Sequence, residues 1–361
     1  MFFSNKKSIL WISIFLISCV CFFTGCNAST SKEPIEISSI KLNTAVSIRI
    51  YDSEDRTLLD ECLKICDKYE KIFSRTNENS ELYQLNQRLL PSVSGEHPSE
   101  ASDESKTFSL SPELAHLIAI GLDYSQRSDG AFDLTIAPLS TLWNFTAENP
   151  SIPKASDIQS AASKCDYKNI SFLSEDPSLI TFASSDCQID LGAIAKGYIA
   201  DRIKEYLVSQ GVQSAIINLG GNVLCIGQKP DESTFQIGIQ KPFANRNETA
   251  AIMGICDRSV VSSGIYERCF TQNNTLYHHL LNPKTGYPYN NELISVTIIS
   301  ENSVDGDALS TVCFALGLEK GLELIDSLEN TDAVFITNDY ELHYSKDFEK
   351  NISLTPYTTA S

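Results

Sequence analysis

The sequence predicts a chain that mixes α and β structure, and three patterns carry that expectation. Val46, Ile48 and Ile50 alternate with polar residues, the mark of a strand with one covered face. Leu59, Cys62, Leu63, Cys66, Tyr69 and Phe73 recur every three or four residues, the mark of an amphipathic helix. Further along, apolar strand-like runs such as Ala215–Leu219 and Ser295–Ser300 are interspersed with helical stripes, without an internal repeat. The length, 361 residues, allows one large domain or two ordinary ones, and 42% hydrophobic with 20% charged residues is a globular balance. A formal charge of −18 repels phosphate backbones and argues against a nucleic-acid partner. An anionic small ligand would need local help from a cation or a helix N-terminus.

The N-terminus reads as an export signal over residues 1–25. Lys6 and Lys7 supply the positive end and Ile9 to Phe23 the apolar core, which is short for a membrane span of about 20 residues. Phe23-Thr24-Gly25-Cys26 is similar to a bacterial lipobox with Phe in place of the usual Leu, which would make Cys26 a lipidated N-terminus. An uncleaved anchor is the alternative. Either way the expected location is the outer face of the cytoplasmic membrane. Residues 26–38 are polar and read as a tether, with the folded domain running from 39 to 350. The cysteines beyond Cys26 are irregularly spaced without a CxxC, and most read as small core residues, although one or two disulfides stay open.

Within the domain, Ser111-Pro112-Glu113 starts a helix with a cap, a first-position proline and an early acid. Pro91 to Thr107 is rich in Ser, Glu and Pro and reads as a surface loop. Ser128 to Phe145 mixes Gly, Asp, Pro and aromatics without a clean period, as in a shaped binding loop; there Asp133 follows Phe132, a carboxylate beside an aromatic platform or a loop packing its rings inward. A helix is expected from about Gly192, with Ile194, Tyr198, Ile199, Ile203, Tyr206 and Leu207 as its stripe. Free N–H groups at Gly192 and the charge of Lys196, about one turn in, would favour an anion. From Val304 to Gly317 another helix places Asp307 and Thr311 on one face, with Ser310 beside them; these are hard oxygen donors of the kind Mg²⁺ prefers. The same residues would also serve an ordinary helix start. His279 to Pro288 packs an imidazole, an Asn-Pro turn, the Thr285 hydroxyl and a flexible Gly286 into ten residues, a rigid turn suited to a ligand site.

Taken in order, LNT at Leu42, SEL…LN at Ser80, SDGAFDLTIAPL at Ser128, DLGAIAKGY at Asp190, NLGGN at Asn218, SSGIYER at Ser262, HLLNPKTGYP at His279 and GDALST at Gly306 resemble the FAD:protein FMN transferase family, the ApbE-type flavin-transfer lipoproteins. The resemblance spans about Leu42 to Gly317. It implies a single α+β catalytic domain of T-fold-like architecture, mixed sheets with packed helices, that binds FAD and Mg²⁺. The implied reaction cleaves FAD, attaches FMN through a phosphoester to a Ser or Thr of a membrane redox subunit, and releases AMP. Carried over, the flavin positions fall on Leu42, Thr76, Ala131, Phe132, Asp133, Asp190, Lys196 and Leu281. The metal positions fall on Ala193, through its carbonyl, and on Asp307, Ser310 and Thr311. His279 matches the catalytic histidine, as base or as orienting group. Asn282 stands where the family has Asp, Ile265 where it has Asp, and Thr76 where Tyr is common; the last change leaves room for water and for hydrolysis of FAD to FMN and AMP. A flavin-binding lipoprotein without chemistry is the remaining alternative.

Overall fold

A computed structural model describes residues 33–93, 107–174, 176–245 and 248–356. The leader, Cys26 and most of the Ser/Glu/Pro-rich loop lie outside the described residues; the compact unit begins at Pro34. Strands β1 (Ile35–Lys41) and β2 (Thr44–Ile50) form a hairpin whose two turn residues, Leu42 and Asn43, have φ of 54° and 56°. Two positive φ values in a two-residue loop match the twist of the flanking strands. Residues 35–38, expected to belong to a tether, are instead part of β1, because this stretch pairs residue for residue with β2.

Helix α1 (Thr57–Phe73) buries Leu59, Cys62, Cys66, Tyr69 and Phe73, as its periodicity predicts. Next come α2 (Glu81–Asn86), β3 (Thr107–Ser109) and α3 (Pro112–Arg127), whose cap Ser111 accepts the N–H of Leu114. The expected irregular loop from Ser128 to Phe145 contains a helix, α4 (Ala137–Trp143), and α5 (Ala155–Ala162) follows. After β4 (Ile170–Leu173) and β5 (Asp176–Phe182), α6 spans Ala195–Ser209. It starts three residues later than the apolar stripe predicts, because a turn led by Asp190 occupies the preceding residues.

The remaining elements are β6 (Ala215–Leu219), β7 (Asn222–Ile226), β8 (Phe235–Gln240), β9 (Thr249–Ile255), β10 (Ser259–Gly264), β11 (Cys269–Gln272), β12 (Thr275–His278), β13 (Leu293–Ser300), α7 (Ser303–Leu316), α8 (Leu318–Asp326), β14 (Asp332–Thr337), β15 (Leu342–Tyr344), α9 (Phe348–Asn351) and β16 (Ser353–Pro356). The main sheet runs β1-β2-β6-β7-β10-β13-β14-β15, with every pairing antiparallel. Helices α6 and α7 lie on one face. The sheet β16-β9-β8 covers the other through a second core of Phe235, Ile237, Met253, Val260, Ile299 and Val334. Covering on both faces explains why β13 and β14 are buried at every position and read as nearly unbroken apolar runs.

A third core joins α4 and α5 to the β11–β12 hairpin: Leu139, Trp143, Ile158 and Leu281 are buried together, and the Trp143 indole N–H donates to the Gly286 carbonyl at 2.8 Å. Among the described residues the cysteines are unpaired; Cys62, Cys66, Cys187, Cys225 and Cys313 are buried as small core residues. Among the described residues no helix is long and apolar enough to cross a membrane.

His278 closes β12 with its ring buried, Nε2 lying 3.0 Å from the Tyr289 carbonyl and Nδ1 without a partner. Burial pushes its pKa down to about 4 from an ordinary 6.5. The unfolded chain therefore takes a proton first as pH falls. The stability tied to the neutral ring is complete above pH 6.5 and is lost toward pH 4. The expected outcome is a loss on the order of 2 kcal/mol between about pH 7 and about pH 4.5 in urea unfolding. His278→Gln should make that dependence shallower, the remainder coming from other buried groups such as His279; an identical pH slope in the variant would contradict the assignment.

Candidate active site

The site forms where α6 and α7 meet. Gly197 lets their backbones touch: a Cβ there would fall 2.3 Å from the Ser303 carbonyl oxygen. Asp201 of α6 accepts the N–H groups of Ser303 at 2.7 Å and Val304 at 2.9 Å, capping α7 from outside. Burial raises the Asp201 carboxyl to about 6 despite those donors. The predicted ligands lie back toward the start of α6 and about one turn further into α7, and α7 returns the gesture: buried Asp307 accepts the Gly197 N–H through Oδ2 at 2.6 Å.

Lys196 Nζ stands 3.6 Å from Asp307 Oδ1, an ion pair longer than a hydrogen bond. Ser310 donates to the Asp307 carbonyl at 2.9 Å, and Ser263 of β10 joins the Ser310 hydroxyl at 2.8 Å and that of Thr311 at 3.4 Å. Asp307, Ser310 and Thr311 thus share one side of α7 as their spacing predicts, and Lys196 of α6 lies beside Asp307. Ser263 was not singled out from the sequence, although Ser259 and Ser263 lie four apart on a strand and so face the same side; Ser259 indeed meets Ser303 of α7 at 2.8 Å.

The start of α6 departs from expectation. Gly192 N–H is not free but donates to Asp190 Oδ1 at 2.9 Å, while the N–H groups of Ile194 and Ala195 go to the Leu191 carbonyl. Lys196 lies in the first turn. Gly197 N–H, which in a continuing helix would reach back to the Ala193 carbonyl, is directed at Asp307. The Ala193 and Lys196 N–H groups have no acceptor among the described residues, so two backbone donors remain beside the Lys196 ammonium for an anion. Asp190 Oδ2 pairs with Arg75 Nε at 2.8 Å, and Arg75 Nη1 donates to Thr141 at 3.0 Å. No sequence signal marks Arg75.

The loop before α4 is turned inward. The Phe132 ring is buried edge-on to Tyr124, which overturns the aromatic-platform expectation in favour of core packing. Asp133 is buried too; Oδ1 accepts from Thr135 N and Oγ1, and Oδ2 from Tyr167 N. Burial raises its pKa. These side chains shape the loop from within. The loop bridges two other segments: the Ala131 carbonyl accepts the Tyr289 hydroxyl at 2.8 Å, and the Leu134 carbonyl accepts Asp190 N–H at 2.8 Å. Leu42 is half-buried in its hairpin and Thr76 is exposed. Neither has a hydrogen bond to the Lys196–Asp307 group among the described residues.

His279 follows β12 and donates its backbone N–H to the Arg268 carbonyl at 3.1 Å. Its side chain is not the freely titrating group that the sequence suggests. Nδ1 is sealed and unpartnered, and burial, the Arg268 charge, neighbouring His278 and, least, Lys196 push the pKa down to about 3. The imidazole is neutral and within the field of Lys196, which links it to Asp307. In the following turn Asn282 Oδ1 accepts from Lys284 N at 2.9 Å and Thr285 N at 3.3 Å. An Asp there would make the same bonds, so Asn282 changes the charge of the turn but not its shape. Ile265 packs half-buried against both main cores, where a carboxylate would be unsupported. Leu281 pairs with Pro288 and sits in the third core.

The sequence pattern of the ApbE family matches residues 42–335. The chain is 35% identical over 305 residues to the FAD:protein FMN transferase of Klebsiella pneumoniae (strain 342), covering 84% of this chain and 90% of that protein. It is 28% identical over 357 residues to the protein of the same name from Treponema pallidum (strain Nichols), covering 94% and 95%. Among solved structures, the ApbE protein of Thermotoga maritima superposes with a TM-score of 0.76 at 29% identity, over 88% of this chain and 99% of that one. The flavin transferase ApbE of Vibrio cholerae shares the fold at a TM-score of 0.75 and 22% identity, over 88% and 99%. With its α+β architecture and its motifs in the same order, this chain belongs to the ApbE family.

Proposed function

We propose that this protein is an FAD:protein FMN transferase that works with Mg²⁺, joining FMN through a phosphoester to a Ser or Thr of an acceptor protein and releasing AMP. The observation that carries this reading is the gathering of Lys196, Asp307, Ser310 and Thr311 within the field of the neutral His279. The acceptor is a membrane redox subunit, and the enzyme is lipid-anchored at Cys26 on the outer face of the cytoplasmic membrane, as the leader and the family's acceptors both favour. FAD contacts come from Leu42, Thr76, Asp190, Lys196 and Leu281 and from the backbone of Ala131, Phe132 and Asp133.

The donor chemistry fits Mg²⁺. Among the described residues no group of three or more His, Cys, Asp or Glu side chains is arranged to hold a metal ion. One carboxylate, two hydroxyls and the Ala193 carbonyl make an oxygen set that suits an ion which keeps waters and substrate phosphates. Asp307 Oδ1, committed only to a long ion pair, is the oxygen available to it. When bound, Mg²⁺ supplies charge neutralisation at the diphosphate.

The chain's own residues do the rest. Lys196 holds a phosphate oxygen by charge. Asp307 keeps Lys196 and the Gly197 backbone in place. His279, held neutral, accepts the proton of the incoming hydroxyl; a diphosphate arriving beside the ring raises its pKa toward the ordinary range and makes it a better base. The acceptor oxygen bonds to the FMN phosphorus while the bond from that phosphorus to the bridging oxygen breaks, its electron pair leaving on AMP.

The deciding experiment incubates the purified protein with FAD, Mg²⁺ and an acceptor carrying the Thr site, and reads flavin fluorescence in a denaturing gel. A fluorescent acceptor band is expected; FMN and AMP appearing with no labelled protein would instead indicate a pyrophosphatase. Asp307→Asn keeps an acceptor for Gly197 N–H but loses the charge, so it should cut turnover by at least about 100-fold with an unchanged unfolding midpoint. Wild-type turnover in this variant would remove the metal assignment. Lys196→Ala should weaken FAD binding by about tenfold or more in a fluorescence titration; an unaltered dissociation constant would mean that the diphosphate lies elsewhere.

A further inference from the structure

Arg268 is the one arginine among the described residues whose guanidinium makes neither a hydrogen bond nor an ion pair. Arg49, Arg75, Arg127, Arg202 and Arg258 pair with carboxylates, and Arg56 and Arg88 donate to carbonyls. In a chain of charge −18, with 46 acidic against 28 basic residues, an unpaired guanidinium is unusual. Its place is equally specific. The β11–β12 register pairs Cys269 with His278, so the next rung sets Arg268 opposite His279, and the His279 N–H to Arg268 carbonyl bond closes that rung. Directly opposed residues of an antiparallel pair project from the same face, with Cβ atoms about 5 Å apart. The Arg268 side chain is exposed, while His279 beside it has a sealed, unpartnered Nδ1. After burial, Arg268 is also the largest influence holding the imidazole neutral.

Local supply and demand of positive charge explain what this guanidinium is for. The N–H groups of Gly192, Ile194, Ala195 and Gly197 at the start of α6 are all taken within the protein, and Lys196 is paired with Asp307. Only the single N–H groups of Ala193 and Lys196 are left there, and neither offers the planar donor pair that Arg268 would bring to a phosphoryl group beside His279. A guanidinium offers two parallel N–H groups in the geometry that two phosphoryl oxygens accept.

We infer that Arg268 is a catalytic residue of this site, donating to the non-bridging oxygens of the phosphoryl group that moves from FAD to the acceptor. This inference rests on the transferase reading given above. In the step, the acceptor oxygen bonds to the FMN phosphorus, its proton passes to the His279 imidazole, and the bond to the bridging oxygen breaks with its electron pair retained by AMP. Arg268 stands on the His279 side of the transferred group, so it faces the equatorial oxygens, whose charge changes as the bonds form and break, and not the departing AMP.

The test compares wild type with Arg268→Ala and Arg268→Lys in the FAD, Mg²⁺ and acceptor assay, with added guanidinium chloride at concentrations well below those that unfold the protein. Arg268→Ala should lower kcat by about 100-fold or more, with KM for FAD changed by less than about fivefold and an unchanged unfolding midpoint. Arg268→Lys should fall between the two, since an ammonium supplies charge without the fork. Free guanidinium should restore at least about tenfold to Arg268→Ala and nothing to wild type, which a merely structural role would not produce. Arg268→Ala within about threefold of wild-type kcat would overturn the assignment, as would a loss that guanidinium leaves untouched. If wild type itself fails to label the acceptor, the transferase reading fails; if wild type labels it and Arg268→Ala labels it equally, only the role of Arg268 falls.

Discussion

The contact on which the rest of the structure depends is the crossing of α6 and α7 at Gly197. No side chain separates the two backbones there, and the helices exchange polar groups on either side of the crossing. Asp201 of α6 caps the first N–H groups of α7, and Asp307 of α7 takes an N–H from the first turn of α6. Each carboxylate satisfies backbone donors that a helix start would otherwise leave open. The result is that Lys196 and Asp307, distant in sequence, are adjacent without either being held by a loop. Tyr124 extends this brace to α3 by donating to Asp305 at 2.7 Å. A site built on the ends of two mutually capped helices is more rigid than one built on loops.

Around that brace the remaining segments are fastened by backbone carbonyls. The loop containing Ala131 and Leu134 accepts from Tyr289 on one side and Asp190 on the other, so the His279 turn and the Asp190 turn are set at fixed positions relative to each other. Its own charged and aromatic side chains, Asp133 and Phe132, turn inward to make the loop stiff. This division of labour suits a ligand with a large flat ring, which needs shape and main-chain groups more than side-chain charge.

The legible part of the fold was the part governed by periodicity. Strands β2 and β6 and helices α1, α3 and α7 follow from alternating or three- and four-residue apolar spacing, which a covered face imposes, and β13 from its nearly unbroken apolar run. The helix within Ser128–Phe145 was not, because α4 has only seven residues and its buried Trp143 serves the third core rather than a repeating stripe. The late start of α6 was hidden for a different reason: Asp190 captures the Gly192 N–H, a local competition that apolar spacing does not register. Within the site, Asp307, Ser310 and Thr311 were readable from helical spacing, whereas Ser263, Arg75 and Arg268 gain their meaning from partners in other elements. Arg268 in particular is intelligible only once the β11–β12 register places it across from His279.

That hairpin also resolves how so acidic a protein handles an anionic substrate. Long-range repulsion from the surface carboxylates is screened within about 10 Å in ordinary salt, so the balance at the site is set by groups in direct reach. There the carboxylates are already engaged: Asp307 with Lys196 and Gly197, Asp190 with Arg75 and Gly192, Asp133 with Thr135 and Tyr167. Neutralised acids repel little, while the neutral imidazole of His279 adds no competing charge and keeps a proton-accepting nitrogen. The site therefore need not be strongly positive in its resting state. It needs acids whose charge is already answered, a lysine on a long and loosened ion pair, and one guanidinium left without a partner until a phosphate arrives.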